Sequence, residues 1–195
     1  MKQLLFASTN KDKIREVQAM MPDYKVLSLL DFPEIQDVDE TASTLVGNAT
    51  LKAVEIATQV DMPVFSDDSG VFIDALDGFP GVHSARWTGT HRDYANQNDR
   101  ILDLMKNQTN RKAEYKTVVA FAHNNKITLF EGVMPLEVAH TESNTPGFSY
   151  DTIMKFDGTF VSEMNPVDKN KVSSRADAVN KFKAFIGNYQ LQFIN

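Results

Sequence analysis

The sequence contains no cysteine, which excludes disulfides and thiolate metal sites and fits a reducing compartment. Positive charge is also scarce. Against 26 Asp and Glu there are 20 Lys and Arg, a net charge of -6, so a general DNA- or RNA-binding surface is excluded. A small phosphorylated ligand needs only a few placed cations and stays open. No apolar run is long enough to span a membrane, and "MKQLLFASTN" holds too short an apolar run for a signal peptide. The expectation is a cytoplasmic protein with neither nucleic acid nor membrane as partner. Internal repeats, low-complexity segments and Gly/Ser linkers are missing too. What is present is 195 residues, 42% hydrophobic and 24% charged. That is enough to bury a sizeable interior as one large domain, or as two lobes sharing a core.

The hydrophobic pattern alternates between strand and helix periods. "QLLFA" (3–7) reads as a short buried strand, and "STN" as a turn with N-cap residues. Ile14, Val17 and Met21 then fall at helical spacing across 11–21. "YKVLSLL" reads as a second strand, followed by an acidic loop, "DFPEIQDVDETAS". The helix over 44–60 is the strongest, with Leu45, Ala49, Ala53, Ile56 and Val60 on one side. "MPVFSDDSGVFIDAL" reads as strand, break, strand, and 92–106 as a helix opened by polar residues. "AEYKTVVAFAH" and "KITLFEGVMPLEVA" form a hairpin about Asn124-Asn125, and a last helix runs from about Ser174 to Ile186. The hairpin and loops are too irregular for a doubly wound sheet, so the expected fold is α/β: a mixed sheet with helices packed on it.

Several stretches carry chemistry. In "FASTNKDKIRE" a strand leads through Ser8, Thr9 and Asn10 into a helix, whose free backbone N–H groups and dipole favour an anion. Lys13 adds a charge in the first turn. The glycines of a phosphate-binding loop are missing, and the same residues are also an ordinary helix cap. Asp67 and Asp68 follow the apolar "MPVF". Neighbours on a strand face opposite ways, so the pair is expected to do two jobs, one carboxylate facing a cleft to hold Mg²⁺ and the other hydrogen-bonded inside. Magnesium takes one or two carboxylates with phosphates and water, and the loop with Asp37, Asp39 and Glu40 offers a second. A solvated acidic turn is the competing reading.

"LDGFPGVHSARW" turns tightly at Gly78, Pro80 and Gly81; Arg86 and Trp87 line a pocket or simply pack together. His83, His91, His123 and His140 lack the spacing of a zinc site. Phe148, Tyr150 and Asp151 in "NTPGFSYDTIMKF" suit a nucleobase, with rings to stack and an acid to read N–H edges; core packing is the other fate of such aromatics. "DKNKVSSRADA" offers Lys169, Ser173, Ser174 and Arg175 at a helix start.

In this order, these stretches resemble the family of inosine triphosphate pyrophosphatases, also called dITP/XTP or non-standard purine NTP pyrophosphatases. The resemblance runs from residue 6 to 178. Its most specific segment is "SDDSGVFIDALDGFPGVHSARW", with "GNATLKA", "GFSYD" and "SEMNPVDKNKVSSR" in sequence around it. It implies one domain over 1–195, an elongated two-lobed α/β fold around a long mixed sheet with flanking helices, an active cleft between the lobes, and a homodimer. It also implies Mg²⁺-dependent hydrolysis of a nucleoside triphosphate to monophosphate and pyrophosphate. Ser8, Thr9, Asn10 and Lys13 would hold the triphosphate. Asp68 would bind the metal and activate water, with Asp39 or Glu40 as acidic partner and Ser69 nearby. Phe148, Ser149, Tyr150 and Asp151 would form the base pocket, closed by Lys169, Ser174 and Arg175. Arg175 would donate to a 6-oxo group and reject the 6-amino group of ATP.

The chain departs from the family pattern in four ways. Gly47 stands for a glutamate before Asn-Ala, and Ser174 for the histidine of Ser-His-Arg. Ser149 and Thr152 stand for a glycine and a proline, and the glycine-rich lead-in is changed to "ESNTPGF". They leave two alternatives open: the same chemistry with a shifted base preference, or a nucleotide-binding protein with little turnover.

Overall fold

The computed structural model describes residues 2–89 and 94–188. Eight strands and five helices follow in the order β1 (Lys2–Phe6), α1 (Lys11–Met20), β2 (Tyr24–Ser28), α2 (Leu45–Ala57), β3 (Val64–Ile73), β4 (Pro80–Gly81), α3 (Tyr94–Leu104), β5 (Lys112–His123), β6 (Lys126–Val138), β7 (Met154–Phe156), β8 (Thr159–Phe160), α4 (Pro166–Val172) and α5 (Ser174–Asn188). The strands form one mixed sheet in the order β2-β1-β3-β5-β6-β7-β8, with β4 paired to β3. β1 runs parallel to both β2 and β3, whereas β4 lies antiparallel on β3, and β7 antiparallel to both β6 and β8. The α/β class with a long mixed sheet and flanking helices is therefore as expected.

The chain divides into two compact units. Unit 1 holds the described parts of Met1–Asp68, Thr117–Gly132 and Arg175–Asn195; unit 2 holds those of Ser69–Lys116 and Val133–Ser174. In unit 1 the period-2 alternation of the strands sorts the core into two layers. Leu4, Phe6, Phe65, Val119 and Phe121 pack with Ile14 and Val17 of α1 and Val179 and Phe182 of α5. The intervening residues Leu5, Ala7 and Val64 pack with Ile56 of α2 and Leu29. Phe65 anchors the first layer, its ring stacked on Phe6 at 4.9 Å and tilted against Phe182 at 5.0 Å between centroids.

Unit 2 has its own core, built on Val71, Ile73, Ile101, Met105, Met134, Val138, Tyr150 and Ile153. Arg111 is buried there and ties the segment after α3 to the end of β6, donating to the carbonyls of Met105, Val138 and Ala139.

Local chemistry accounts for most element boundaries. Asn10 caps α1, its Oδ1 accepting from the N–H groups of Asp12 and Lys13, and Thr44 caps α2 by accepting from Gly47 N–H. Asn124 and Asn125 both take positive φ, 50° and 58°, the pair a two-residue hairpin with strand-matched twist requires. Two expectations are corrected. β3 is one continuous ten-residue strand with no break at Asp67–Asp68, because both carboxylates find partners without leaving the pleat. α4 was not foreseen; its seven residues open on an Asn165 cap followed by Pro166, too short to show a helical period. The helix expected from 92 is seen from Tyr94. Residues 92 and 93, like His91, lie outside the described residues.

Candidate functional site

Unit 1 gathers charge around the end of its stretch of β3. Alternation sends Asp67 to the layer of α1 and α5, and Asp68 to the layer of α2. Asp67, 2% exposed, accepts from Lys13 Nζ at 2.9 Å through Oδ1 and from Arg175 Nε at 2.9 Å through Oδ2. The other end of Arg175 pairs through Nη1 with Glu16 on α1. Burial by itself would raise the Asp67 carboxyl, but Lys13, then Arg175 and Lys52, outweigh it and hold it far below the ordinary carboxylate range. Burial lowers Lys13, partly offset by Asp67. Burial would also lower Arg175, but Asp67 and Glu16 overcome that and raise it.

Asp68 has different company. Its Oδ2 accepts from Asn48 Nδ2 at 3.0 Å, and Asn48 Oδ1 accepts from the backbone of Ala42 at 2.9 Å. Burial raises the Asp68 carboxyl, Glu40 raises it further, and Lys13 and Lys52 oppose this. Lys52 reaches Glu40 Oε1 at 2.7 Å; burial would lower it, yet Glu40, Asp67 and Asp68 raise it. α2 thus serves the site with Asn48 and Lys52, one turn apart on its buried face. Sequence reasoning missed both. The available signal was that each interrupts the apolar stripe of Leu45, Ala49, Ala53 and Ile56.

The turn before α1 stands in the same unit. Ser8 is buried, its Oγ accepting from Asn10 N–H at 3.2 Å. Thr9 is exposed and donates to Asp37 at 2.9 Å. Asp39 is exposed and Glu40 half-buried. Among the described residues no three acidic or imidazole groups converge on one point. Asp68 with Glu40 is nonetheless an oxygen donor set that suits a hard cation such as Mg²⁺, which takes few carboxylates and fills its shell with phosphate and water. Two neighbouring carboxylates, Asp68 buried and Glu40 half-buried, also fit a cation electrostatically; burial and then Glu40 raise Asp68. Asp67 is committed to Lys13 and Arg175 instead.

The remaining candidates lie in unit 2, where neutral hydrogen bonds prevail. Ser69 is half-buried and Ser174 buried. Phe148 is 40% exposed. Ser149 to Thr152 form one turn of 3₁₀ helix, with Ser149 at φ +59°. Tyr150 is buried, its hydroxyl facing Ser84 O and Gln97 Oε1 and accepting from Trp87 Nε1 at 2.9 Å. Asp151 is buried between Lys169 and the Tyr115 hydroxyl, which donates to Oδ1 at 3.2 Å. The structure therefore brings Ser8, Thr9, Asn10, Lys13, Glu40, Asp68 and Arg175 into unit 1, and Phe148, Ser149, Tyr150, Asp151 and Lys169 into unit 2.

A helix N-terminus, buried carboxylates and ion-paired lysines gather in unit 1, chemistry that suits phosphate and a hard cation. The chain belongs to the Ham1 family, which matches residues 4–185. It is 39% identical over 182 residues to a dITP/XTP pyrophosphatase of Flavobacterium johnsoniae, covering 91% of this chain and 94% of that one. It is 38% identical over 190 residues to a dITP/XTP pyrophosphatase of Flavobacterium psychrophilum, covering 95% and 100%. A HAM1 protein structure from Coxiella burnetii superposes with a TM-score of 0.89 at 30% identity, over 97% of this chain and all of the other. Among the described residues no helix is long and apolar enough to cross a membrane.

Proposed function

We propose that this protein is a nucleoside triphosphate pyrophosphatase. It hydrolyses non-standard purine nucleotides (ITP, dITP and XTP) to the monophosphate and pyrophosphate and so removes them from the nucleotide pool. The observation that carries this reading is the split character of Asp67 and Asp68: one neutralised by two cations, the other buried and raised. The relatives named dITP/XTP pyrophosphatases supply the substrate class.

In this reading Ser8, Thr9, Asn10 and Lys13 hold the triphosphate with the N-terminus of α1. Asp67 is a positioning residue that fixes Lys13 and Arg175. Mg²⁺ is the cofactor, held by Asp68 and Glu40 with Asp39 close in sequence, and when bound it supplies charge neutralisation at the phosphate oxygens. Water attacks the α-phosphorus, the bond to the bridging oxygen breaks, and pyrophosphate leaves with the electron pair. Asp68 takes the proton of the attacking water, a role that a carboxyl raised by burial suits better than one held low. Ser69 lies next to it.

Base recognition falls to Phe148, Ser149, Tyr150 and Asp151, with Lys169, Ser174 and Arg175. The Arg175 guanidinium carries five N–H donors. Nε and Nη1 serve Asp67 and Glu16, and one of the others is assigned to a 6-oxo group. An adenine 6-amino group would set donor against donor there. Ser174 offers no ring donor, so the preference is looser than a histidine would give. The whole chain acts as one domain, since the family match runs through both units, and works as a cytoplasmic homodimer. A panel of nucleoside triphosphates assayed for pyrophosphate release with Mg²⁺ and with EDTA tests the reading. ITP, dITP and XTP ahead of ATP, with activity lost in EDTA, is expected. Turnover unaffected by EDTA, or none with any nucleotide, would overturn it.

A further inference from the structure

One side chain holds the Ser149–Thr152 turn at both ends. Asn98, on α3 and 2% exposed, donates through Nδ2 to the Ser149 carbonyl at 3.3 Å and to Thr152 Oγ1 at 2.9 Å. Thr152 Oγ1 in turn donates a hydrogen bond to Glu142 Oε1 at 2.6 Å. Donation therefore runs one way, amide to hydroxyl to carboxylate, and the hydroxyl uses both its donor and its acceptor capacity.

The held end is a strained one. Ser149 sits at φ +59°, a backbone state that a residue with a side chain keeps only when its surroundings impose it. Tyr150, next in the turn, is fixed separately by Ser84, Gln97 and Trp87. As a core filler Asn98 is a poor choice, because its Oδ1 is buried with no hydrogen-bond partner among the described residues. An apolar residue of similar size would avoid that penalty. What only the amide supplies is the pair of donors on the turn.

We propose that Asn98 is a positioning residue for base selection, acting through the Ser149 carbonyl and the Thr152 hydroxyl to hold the 149–152 turn in the shape that separates 6-oxo from 6-amino purines. This rests on the reading of that turn as part of the base site. Asn98 touches no substrate; it sets the backbone and the side chains of residues that do.

The test compares kcat/KM for ITP and for ATP, with thermal melting, in the unmodified protein and in Asn98→Leu, Thr152→Val and Thr152→Ser. The ITP/ATP ratio is expected to fall about tenfold in Asn98→Leu, mostly through a higher KM for ITP. It should fall by a few-fold in Thr152→Val and stay unchanged in Thr152→Ser, which keeps the hydroxyl. Should Asn98→Leu fail to fold, the Val and Ser variants carry the same contrast. A folded Asn98→Leu or Thr152→Val with the original ratio overturns the proposal, even if both rates and the melting temperature drop together. Thr152→Ser losing as much as Thr152→Val overturns it too. Equal kcat/KM for ITP and ATP in the unmodified protein would overturn it by removing the base reading on which it rests.

Discussion

Unit 1 and unit 2 hold their candidate residues by different physics. In unit 1 full charges meet at short range: Asp67 between Lys13 and Arg175, and Lys52 against Glu40. In unit 2 the Ser149–Thr152 turn is held mainly by amide, hydroxyl and carbonyl groups, with the Asp151–Lys169 pair and the Glu142 carboxylate on Thr152 as the charged exceptions. Charge pairs in a buried setting are strong and unforgiving, since removing one partner strands the other. Neutral bonds are each worth less and set shape. Holding several phosphate charges calls for the first kind; fixing the shape of a turn calls for the second.

The largest effect should come from Asp68→Asn, which keeps the shape and removes the base. Turnover is expected to fall by about 10²–10⁴-fold for every nucleotide. Stability should not fall with it. Burial raises the Asp68 carboxyl, so its ionisation disfavours the folded state once pH passes the unfolded value, and the amide lacks that penalty. Pyrophosphate release and melting temperature at pH 7 check both halves. A variant with near-normal turnover would remove Asp68 from the chemistry.

Asp67→Asn should show the opposite profile. Lys13 and Arg175 lose a buried counterion, which costs about 3–5 kcal/mol, on the order of 10 °C in melting temperature for a chain this long. Opposed burial and the cations leave the Asp67 carboxyl lowered. Its contribution is therefore fully present above the ordinary carboxylate range and is lost as pH falls toward the folded value. The gap between the unmodified protein and the variant should stay level from pH 7 to about 5 and narrow below about 4. Urea melts across that range measure it, and a gap that opens only above pH 5 would contradict the assignment.

This contrast was half legible in the sequence. Adjacent positions on a strand fixed the expectation that Asp67 and Asp68 face opposite ways, and β3 gives them different partners. Which carboxylate takes which partners was open from the residues alone, and only the family resemblance singled out Asp68, because the partners include Arg175, 108 positions away. Helices α1, α2 and α5 and the Asn124–Asn125 hairpin were readable because their signals are local. The continuity of β3 was not, since two aspartates in an apolar run look like a break until their partners are known. Asn48 and Lys52 escaped notice because polar residues on a helix are ordinarily read as its solvent face; here they lie on the buried one.

Lys13→Ala should have a smaller effect that still distinguishes the units. The lysine sits in the first turn of α1, where its charge adds to the helix N-terminus. Removing it should weaken kcat/KM by about tenfold and by a similar factor for ITP, XTP and ATP, because the phosphates are common to all three. Asp67 keeps Arg175 as a partner, so the stability loss should be less than in Asp67→Asn. Steady-state kinetics on the three nucleotides checks this. A loss confined to one base would mean that Lys13 acts on the base, and its assignment to the phosphates would fail.

Gly47→Ala is the smallest test and probes how stiff the charged side is. Gly47 lies in the first turn of α2, where alanine is normally favoured by up to about 1 kcal/mol. A Cβ there, however, would stand 2.6 Å from the Ala42 Cβ and 3.1 Å from Thr44 Oγ1. Ala42 has no flexible side chain to move aside, so the loop backbone must shift. Its N–H is bonded to Asn48, and Asn48 to Asp68, so the push travels toward the Asp68 carboxylate. Stability is expected to drop by about 1 kcal/mol instead of rising, within the usual range for overpacking, with a less than fivefold loss in kcat. Urea unfolding decides it: a gain in stability would show that the 37–42 loop yields freely, and that Asp68 is not held through it.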